Sequence, residues 1–166
     1  MRFLIDGYNL MHALGYAPLA GAPQPTFHAA RRRMLDWLAE REAIAAPNVD
    51  VRVVFDAQNS PRDLGSSTHR GLTVTYSFRK TADDLLEDLM AVEPASGDVK
   101  VVSNDRRLQQ AAKRNGHEAM GSDHFLDWLE RPPAKATEAT GAEDKPAAPL
   151  EFDLEQLLEA FRRPKD

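Results

Sequence analysis

Three aspartates stand at or just after the ends of apolar runs. Asp6 closes FLID and Asp105 closes VKVVSND, while Asp83 follows LTVTYSF in the segment KTADDLLE. Such carboxylates repel one another unless a cation lies between them, and carboxylate oxygens are the ligands that Mg²⁺ and Mn²⁺ prefer. A cation of this kind can activate water and stabilise the leaving oxygen of a phosphodiester. The three acids therefore predict a Mg²⁺ or Mn²⁺ site for phosphodiester chemistry, without fixing the number of ions.

Four further polar side chains adjoin this predicted site. Asn9 follows the first aspartate by three residues, so its amide either orients a carboxylate or a bound water, or caps the loop. Glu87 comes one helical turn after Asp83 and shares its face. Asp56 lies at the end of the run VRVVFDA and is either a second member of the cluster or a turn former. Asp84 is expected to face solvent, away from Asp83.

Basic residues are predicted to form a rim beside the acids. His69 and Arg70 adjoin each other in the polar segment QNSPRDLGSSTHRG, and Arg79 and Lys80 immediately precede TADD. A positive rim around an acidic centre suits the phosphate backbone of a nucleic acid. The arginine run at 31–33 fans over different helical faces and is interpreted as solvated surface.

Composition and missing motifs exclude several classes of protein. The 166 residues are 42% hydrophobic and 28% charged, which is typical of one soluble domain, and the net charge of -5 disfavours a non-specific nucleic-acid coat. With no cysteine there is no disulfide framework, thiolate metal site or cysteine nucleophile. No apolar run could span a membrane and MRFLID lacks the features of a secretory signal, so a cytoplasmic location is expected.

Other catalytic signatures are absent from the sequence. It contains no phosphate-binding loop, no GxGxxG after the first strand and no GxSxG elbow. The five histidines lack the close pairing that a zinc site requires. The acidic cluster is therefore the main candidate for chemistry.

The alternation of strands and helices predicts a three-layer α/β/α fold around a mostly parallel sheet of about five strands. Ligands bind such sheets at the carboxyl ends of the strands, which is the edge where the three acids fall. The predicted strands are Phe3–Asp6, Val51–Ala57, Leu72–Phe78, Val99–Asp105 and, more weakly, His117–Met120.

Helices are predicted between these strands. One runs from Phe27 to about Ile44, two others follow N-caps at Thr81 and Asp105, and a last short one begins at Ser122. The connection QNSPRDLGSSTHRG is polar and rich in turn residues, so it is predicted to be an exposed loop.

The composition changes after residue 130, which marks the predicted end of the folded domain, 1–130. Residues 131–149 are rich in Pro, Ala, Glu and Lys without apolar periodicity, which predicts a flexible linker. Residues 150–166 are predicted to form an amphipathic helix that docks on the domain or on a partner. Its apolar face comprises Leu150, Leu154, Leu157, Leu158 and Phe161.

Four motifs resemble a known family when they are taken as a set. IDGYNLMH, VVFDAQNS, KTADDLLE and VVSNDRRLQ resemble, in order and spacing, the YacP-like branch of the NYN domain family, whose fold is PIN-like. The resemblance covers about residues 1–130, and the segment after the linker also looks similar. It implies a metal-dependent endoribonuclease, and the branch is associated with cleavage of RNA, such as mRNA, on ribosomes.

The resemblance also implies roles for individual residues. Asp6 matches the acid of DGYN and Asn9 its amide, while Asp83 matches the acid of T-A-D and Glu87 the acid one turn later. Asp105 lies at the acid that closes the fourth strand, where some members read S-D and this chain reads SND. In this interpretation all five are catalytic, and the three aspartates hold Mg²⁺ or Mn²⁺.

Two other functions remain compatible with the sequence. A binding module with an inactive acidic cluster would grip RNA or a protein without cutting, and a Mg²⁺-dependent phosphatase would act on small molecules. A phosphatase usually carries a second Asp two residues after the first, where this chain has Tyr8. The sequence predicts no membrane partner and specifies no oligomeric state.

Overall fold

A central sheet organises the computed structural model, which describes residues 1–56, 65–95 and 98–131. Within these residues the strands are β1 (Arg2–Asp6), β2 (Asp50–Asp56), β3 (Ser66–His69), β4 (Leu72–Ser77), β5 (Val99–Val102) and β6 (Glu118–Met120). The helices are α1 (Gly7–Ala13), α2 (Gln24–Ala39), α3 (Glu42–Ala45), α4 (Ala82–Val92), α5 (Arg106–Arg114) and α6 (Ser122–Glu130).

The strands form one sheet in the order β3-β4-β2-β1-β5-β6. β1 pairs in parallel with β2 and β5, β2 pairs in parallel with β4, and β5 pairs in parallel with β6. β3 alone of these strands is antiparallel to its neighbour, β4. The predicted α/β fold with a mostly parallel sheet is confirmed, with six strands in place of about five.

Apolar side chains cover both faces of this sheet. Phe3 of β1 belongs to one buried cluster together with Leu38 of α2. The next residue, Leu4, belongs to a second buried cluster with Leu86 of α4 and Leu108 of α5. Because successive strand residues point to opposite faces, the helices lie in two layers with the sheet between them.

The edge strand β3 lies inside the segment that was predicted to be a loop, so that prediction was wrong for its second half. Ser66 pairs with Thr75 and His69 pairs with Leu72 of β4. The strand SSTH has no apolar residue, and its side chains alternate between exposed and half-buried. Hydrophobic periodicity therefore carries no signal for it. Residues 58–64 of the predicted loop, and Ala57 at the end of the predicted strand before it, lie outside the described residues.

Two helices differ from their predicted bounds. The segment after Asp6, expected to be a loop, forms α1, because the Asp6 carboxylate accepts hydrogen bonds from the amides of Tyr8 and Asn9 and caps the helix. α2 begins three residues before its predicted start, with Pro25 in the first turn, where the fixed φ of proline suits a helix. α2 also ends at Ala39, and α3 is a separate short helix.

The predicted helix starts around the candidate acids are confirmed. Thr81 Oγ1 accepts a hydrogen bond of 3.1 Å from the amide of Asp84 and caps α4. Asp105 Oδ1 accepts one of 2.6 Å from the amide of Arg107 and caps α5. α6 begins at Ser122, as predicted. These caps fix the positions of Asp83 and Asp105 relative to the strands that precede them.

Arg31 is buried, although the arginine run at 31–33 was interpreted as solvated surface. Its side chain is only 2% exposed, and its guanidinium lies 5.7 Å from the ring centroid of Phe55 and 5.3 Å from that of Tyr76. Aromatic faces attract a guanidinium electrostatically, which offsets part of its desolvation. Arg32 and Arg33 are exposed, as predicted.

The predicted linker and carboxyl-terminal helix lie outside the described residues, apart from the exposed Arg131. Among the helices that the structure describes, none combines the length and the apolar character needed to cross a membrane.

Candidate active site

The carboxyl ends of the parallel strands bring the candidate acids to one edge of the sheet. In the strand register, Asp6 of β1 lies opposite Val54 of β2, and Ile5 lies opposite Val102 at the end of β5. Asp56 ends β2 at the same edge. Asp105 follows β5 by three residues, and α4 starts shortly after β4 ends at Ser77. The edge that the sequence predicted is therefore the one where the acids collect.

Asp6 is the most firmly held of these acids. Its side chain is 4% exposed, and Oδ1 accepts hydrogen bonds of 3.1 Å from the amides of both Tyr8 and Asn9. Oδ2 accepts one from the Asn9 side-chain amide and one of 3.2 Å from Ser103 Oγ. A carboxylate offers about four lone-pair sites, so these donors use them all. Asp6 is thus a fixed negative charge, with Asn9 oriented against it.

Gly7 is required by close packing next to this acid. A Cβ atom added to Gly7 would lie 2.3 Å from Cε1 and 2.6 Å from Cδ1 of the Phe55 ring. The absence of a side chain therefore lets α1 start directly against β2. This contact fixes how Asp6 enters the sheet edge.

Ser103 connects Asp6 to the segment that carries Asp105, and sequence reasoning assigned it no role. It is fully buried, and its Oγ donates to Asp6 while accepting a hydrogen bond of 3.1 Å from the Asp105 amide. Gln109 Nε2 donates to the Ser103 carbonyl at 2.9 Å. The only sequence signal was a small polar residue where the apolar run of β5 ends.

Asn104, where this chain departs from the S-D pattern, serves α6. Its Oδ1 accepts a hydrogen bond of 2.9 Å from the amide of Ser122, at the first residue of that helix. The Asn104 side chain is thereby engaged away from Asp6. This placement leaves Asp105 as the acid of the segment that follows β5.

Asp83 has neighbours of the same charge. Partial burial raises the pKa of the Asp83 carboxyl, and the negative charges of Asp6 and Asp105 raise that pKa further. The positive charge of Arg107 acts in the opposite direction but does not cancel these effects. The charges of Asp6 and Asp105 thus both act on Asp83.

Arg107 is a further residue of the site that sequence reasoning missed. Its Nη2 donates to Asp84 Oδ1 at 2.9 Å, and its Nε lies 2.8 Å from Glu87 Oε1. The hydrogen bonds from Thr81 and Arg107 lower the pKa of the Asp84 carboxyl, which remains about half exposed. Glu87 therefore faces Arg107, and Asp84 is paired as well as partly solvated. The only signal in the sequence was the position of this arginine, two residues after Asp105.

The structure does not bring His69 and Arg70 to this edge. His69 ends β3 and Arg70 follows it in the turn, so both lie at the amino end of β4, because β3 runs antiparallel to β4. His69 Nε2 is 2.8 Å from Asp36 Oδ1, and Arg70 Nη1 donates to Glu40 Oε1 at 3.0 Å. The hydrogen bond from His69 lowers the pKa of the Asp36 carboxyl. The single basic rim expected from the sequence is therefore divided between opposite ends of the sheet.

Arg79 and Lys80 do lie at the acidic edge, between the end of β4 and the start of α4. Arg79 has a positive φ of 60°, and its guanidinium lies 5.1 Å from the ring centroid of the exposed Phe78. Lys80 pairs with Asp88 of α4. Two of the four predicted RNA-binding residues thus adjoin the acids.

The donors fit a hard divalent cation by their chemistry. Among the described residues, no three His, Cys, Asp or Glu side chains are grouped closely enough to hold a metal ion together. Mg²⁺, however, usually keeps several waters and takes only one or two carboxylates plus substrate phosphates. Burial and the charges of Asp6 and Asp105 raise the pKa of Asp83, and a cation bound at this edge would lower it.

Comparison with known proteins identifies the family. A family model described as the YacP-like NYN domain matches residues 3–163. The chain belongs to the YacP-like NYN domain family. This confirms the resemblance seen in the motifs, and the NYN match extends past residue 130, through the predicted linker into the last segment. The fold is thereby a PIN-like, nuclease-type fold.

Solved structures of a YacP protein have the same fold. The chain is similar to the crystal structure of Rae1 (YacP) from Bacillus subtilis, with 26% sequence identity and a TM-score of 0.61. The match covers 78% of this chain and 74% of that one. A mutant of the same Bacillus subtilis protein matches with 26% identity and a TM-score of 0.58. A search of curated proteins gave no match.

Proposed function

We propose that this chain is a metal-dependent endoribonuclease that hydrolyses RNA phosphodiester bonds at the carboxyl edge of its sheet. One observation carries the proposal: the ends of β1 and β5 and the start of α4 bring Asp6, Asp105 and Asp83 to one edge of the sheet, where the charges of the first two act on Asp83. Neighbouring carboxylates at the ligand-binding edge of a nuclease-type fold are suited to a cation and a phosphodiester. Membership of the YacP-like NYN family supports the same assignment.

In this proposal Asp6, Asp83 and Asp105 hold Mg²⁺ or Mn²⁺, directly or through water. When bound, the ion supplies Lewis acidity, which activates water and stabilises the leaving oxygen. Asp6 gives the site its fixed point, because four hydrogen bonds set its orientation. Asn9 orients that carboxylate.

Residues around the acids complete the proposed mechanism. Glu87, facing Arg107, contributes negative charge next to Asp83 and is itself held in place by the ion pair. Arg79 and Lys80 bind phosphates of the RNA strand as it crosses the edge. Lys80 must exchange Asp88 for a phosphate, whereas the exposed Arg79 needs to leave only the Phe78 ring.

The substrate that we propose is RNA, including mRNA engaged by the ribosome, in the cytoplasm. The ribosomal context rests on the resemblance of the motifs to the YacP-like branch. It predicts that free RNA is cut more slowly than the same RNA within a translating complex.

A second candidate, a module that binds RNA without cutting it, is favoured by one specific observation. The four donors around Asp6 already use its acceptor sites, so Asp6 could ligate a cation directly only if one of these hydrogen bonds were exchanged. A module of this kind would bind RNA equally well with a chelator present.

Cleavage of one RNA that contains both structured and single-stranded regions separates the two candidates. We would compare Mn²⁺, Mg²⁺ and chelator, using the wild type, Asp83→Asn and the control Asp98→Asn. Asp98 is an exposed acid just before β5, at the opposite end of the sheet. The proposal predicts internal cuts that need metal, disappear in Asp83→Asn and persist in Asp98→Asn.

Each other result has a defined meaning. Cuts that survive Asp83→Asn would place the chemistry elsewhere or in a contaminant. RNA binding without any cutting, on free RNA and on a translating ribosome alike, would establish the binding module.

A further inference from the structure

One face of α5 consists of exposed polar and basic side chains. Its members are Arg106, Gln110, Lys113 and Arg114, all of them exposed. At 3.6 residues per turn they fall within an arc of about 100°. The opposite side of the helix packs Leu108, Ala111 and Ala112 into the core. This arginine-lysine face of α5 (106, 110, 113 and 114) is therefore fixed in orientation by the packing behind it.

The cations of this face have no acidic partner among the residues that the structure describes. Described ion pairs occupy Lys80 and Arg107 at the acidic edge, and His69 and Arg70 in the β3–β4 turn. A paired cation must give up its carboxylate before it can bind a phosphate. Among the described residues, no carboxylate competes with a phosphate for the cations on the α5 face.

Helix stability does not account for the whole face. Lys113 and Arg114 lie in the last turn of α5, where a positive charge is favoured by the helix dipole. Arg106 is the first residue of the same helix, where a positive charge is disfavoured. Unlike its neighbour Arg107, Arg106 has no described acid to offset that unfavourable position. A ligand with negative charge would provide the compensation.

The arginine-lysine face of α5 begins next to the candidate acids. α5 follows Asp105 directly, so Arg106 lies at the acidic edge. From Arg106 to Arg114 the helix rises about 12 Å, at 1.5 Å per residue. That distance accommodates two or three phosphates of a strand that leaves the acids along the helix.

We propose that the arginine-lysine face of α5 is the track along which the RNA backbone binds on one side of the cleavage point. The proposal rests on the proposed function, since it names the path of the RNA to the same acids. Phosphates contact Arg106 first, next to the acidic edge, and Lys113 and Arg114 further out. The β3–β4 turn, with its paired His69 and Arg70, lies off this path.

The test measures equilibrium RNA binding by the full chain in chelator, so that no cleavage intervenes. The probe is a fluorescent single-stranded RNA of mixed sequence, titrated at several salt concentrations. The test protein carries Arg106→Gln, Lys113→Gln and Arg114→Gln. The control carries Arg32→Gln, Arg33→Gln and Arg70→Gln, which remove the same charge from α2 and the β3–β4 turn. Glutamine is a good helix former, so both proteins keep their helices.

The expected result is a clear difference between the two triple variants. Loss of three phosphate contacts lowers the slope of log K against log salt by about 2 for a single strand, and weakens binding about tenfold or more at low salt. The control should change affinity less than about threefold, through net charge alone. The reverse ranking, or equal effects in both, would overturn the α5 track.

A single variant separates RNA binding from a role in helix stability. Arg106→Gln removes a cation that the helix dipole disfavours, so Tm should stay constant or rise while RNA affinity falls. A fall in Tm with unchanged RNA affinity would assign Arg106 to the structure and contradict the track.

Failure of the underlying function gives a different result. If the wild type binds RNA and neither triple variant differs from it, only the α5 track is wrong. If the wild type binds no RNA in chelator and also makes no metal-dependent cut, on free RNA or on a translating ribosome, the proposed function fails with the α5 track.

Discussion

The two ends of the sheet balance charge in opposite ways. At the carboxyl edge, burial and the charges of two other aspartates raise the pKa of Asp83. At the amino end of β4, His69 lies against Asp36 and Arg70 against Glu40, and the hydrogen bond from His69 lowers the pKa of Asp36. At the carboxyl edge like charges therefore act on Asp83, although Arg107 pairs with Asp84 there. At the other end, by contrast, His69 and Arg70 lie against acids.

This difference distinguishes a candidate ligand-binding site from an ion pair that serves the fold. A pair such as His69–Asp36 is satisfied within the chain and helps to hold the β3–β4 hairpin against α2. At the carboxyl edge the charges of Asp6 and Asp105 disfavour the charged form of Asp83, an effect that the proposed cation would offset. The sequence alone gives both regions the same appearance, namely ionisable residues beside strand ends.

Asp6→Asn is expected to have the largest effect. In the wild type, Asp6 Oδ2 is a buried oxygen that accepts hydrogen bonds from Asn9 and Ser103. The NH₂ group of the substituted asparagine cannot accept them, so one set of donors would lose its partner. We expect a loss of about 2 kcal/mol in the free energy of unfolding. Cleavage should fall by about 100-fold or more, since a lost cation removes several kcal/mol of transition-state stabilisation. Chemical denaturation and metal-dependent cleavage provide the two measurements.

The matched control for this variant is Asp50→Asn, at the other end of the sheet. Asp50 Oδ2 accepts a hydrogen bond of 2.6 Å from Arg2 Nε, and both side chains are partly exposed. An exposed pair of this kind contributes less than about 1 kcal/mol. If Asp50→Asn removed as much cleavage as Asp6→Asn, the contrast between the two ends would be wrong.

Gly7→Ala should destabilise the protein next most strongly. The added methyl group would overlap the Phe55 ring, and overpacking of this kind costs about 1–3 kcal/mol. Gly65→Ala is the control, because an added Cβ there meets no atom of the described residues within 4 Å. Thermal unfolding of both variants checks the prediction. The combination of Gly7→Ala with Phe55→Leu should recover part of the loss, and no recovery would exclude this contact as the cause.

Arg107→Gln should strengthen the repulsion between carboxylates at the carboxyl edge. Arg107 lowers the pKa of Asp83, so its removal raises that pKa further. Metal binding needs the deprotonated carboxylate, so the acid limb of the rate profile should move to higher pH. The control is Arg32→Gln on α2, whose guanidinium is largely exposed. An unchanged acid limb would show that Arg107 does not act on Asp83.

Asp36→Asn is expected to have the smallest effect. It removes the partner of His69 in a half-exposed pair, so the free energy of unfolding should fall by less than about 1 kcal/mol. Metal-dependent cleavage should be unchanged, because the β3–β4 turn lies at the other end of the sheet from the acids. A large loss of cleavage would show that the two ends of the sheet are coupled and would contradict this expectation.

The acidic edge could be predicted because its signals are local. Asp6 ends a run of apolar residues, and Thr81 and Asp105 have the side chains of helix caps, so the strand ends and helix starts were readable. The convergence of these acids then follows from the geometry of parallel sheets. The family resemblance, confirmed by the match over residues 3–163, supported the same residues.

The residues that sequence reasoning placed wrongly or missed depend on contacts with residues far away in the sequence. β3 has no apolar alternation, so its pairing with β4 and the resulting position of His69 were not visible. The burial of Arg31 depends on Phe55 and Tyr76, which are at least 24 positions away. Arg107 of α5 forms an ion pair with Glu87 of α4, 20 positions earlier in the sequence. A single sequence without the fold offers no local pattern for such partners.

The most direct test of the acidic centre is a carboxyl ¹³C NMR titration of Asp83. It would be recorded in the wild type and in Asp105→Asn, each with and without Mg²⁺. Our account predicts a pKa above the ordinary aspartate value in the wild type, a lower pKa in Asp105→Asn, and a lower pKa in the wild type when Mg²⁺ binds. An ordinary pKa that neither Asp105→Asn nor Mg²⁺ changes would contradict a shared cation site at this edge.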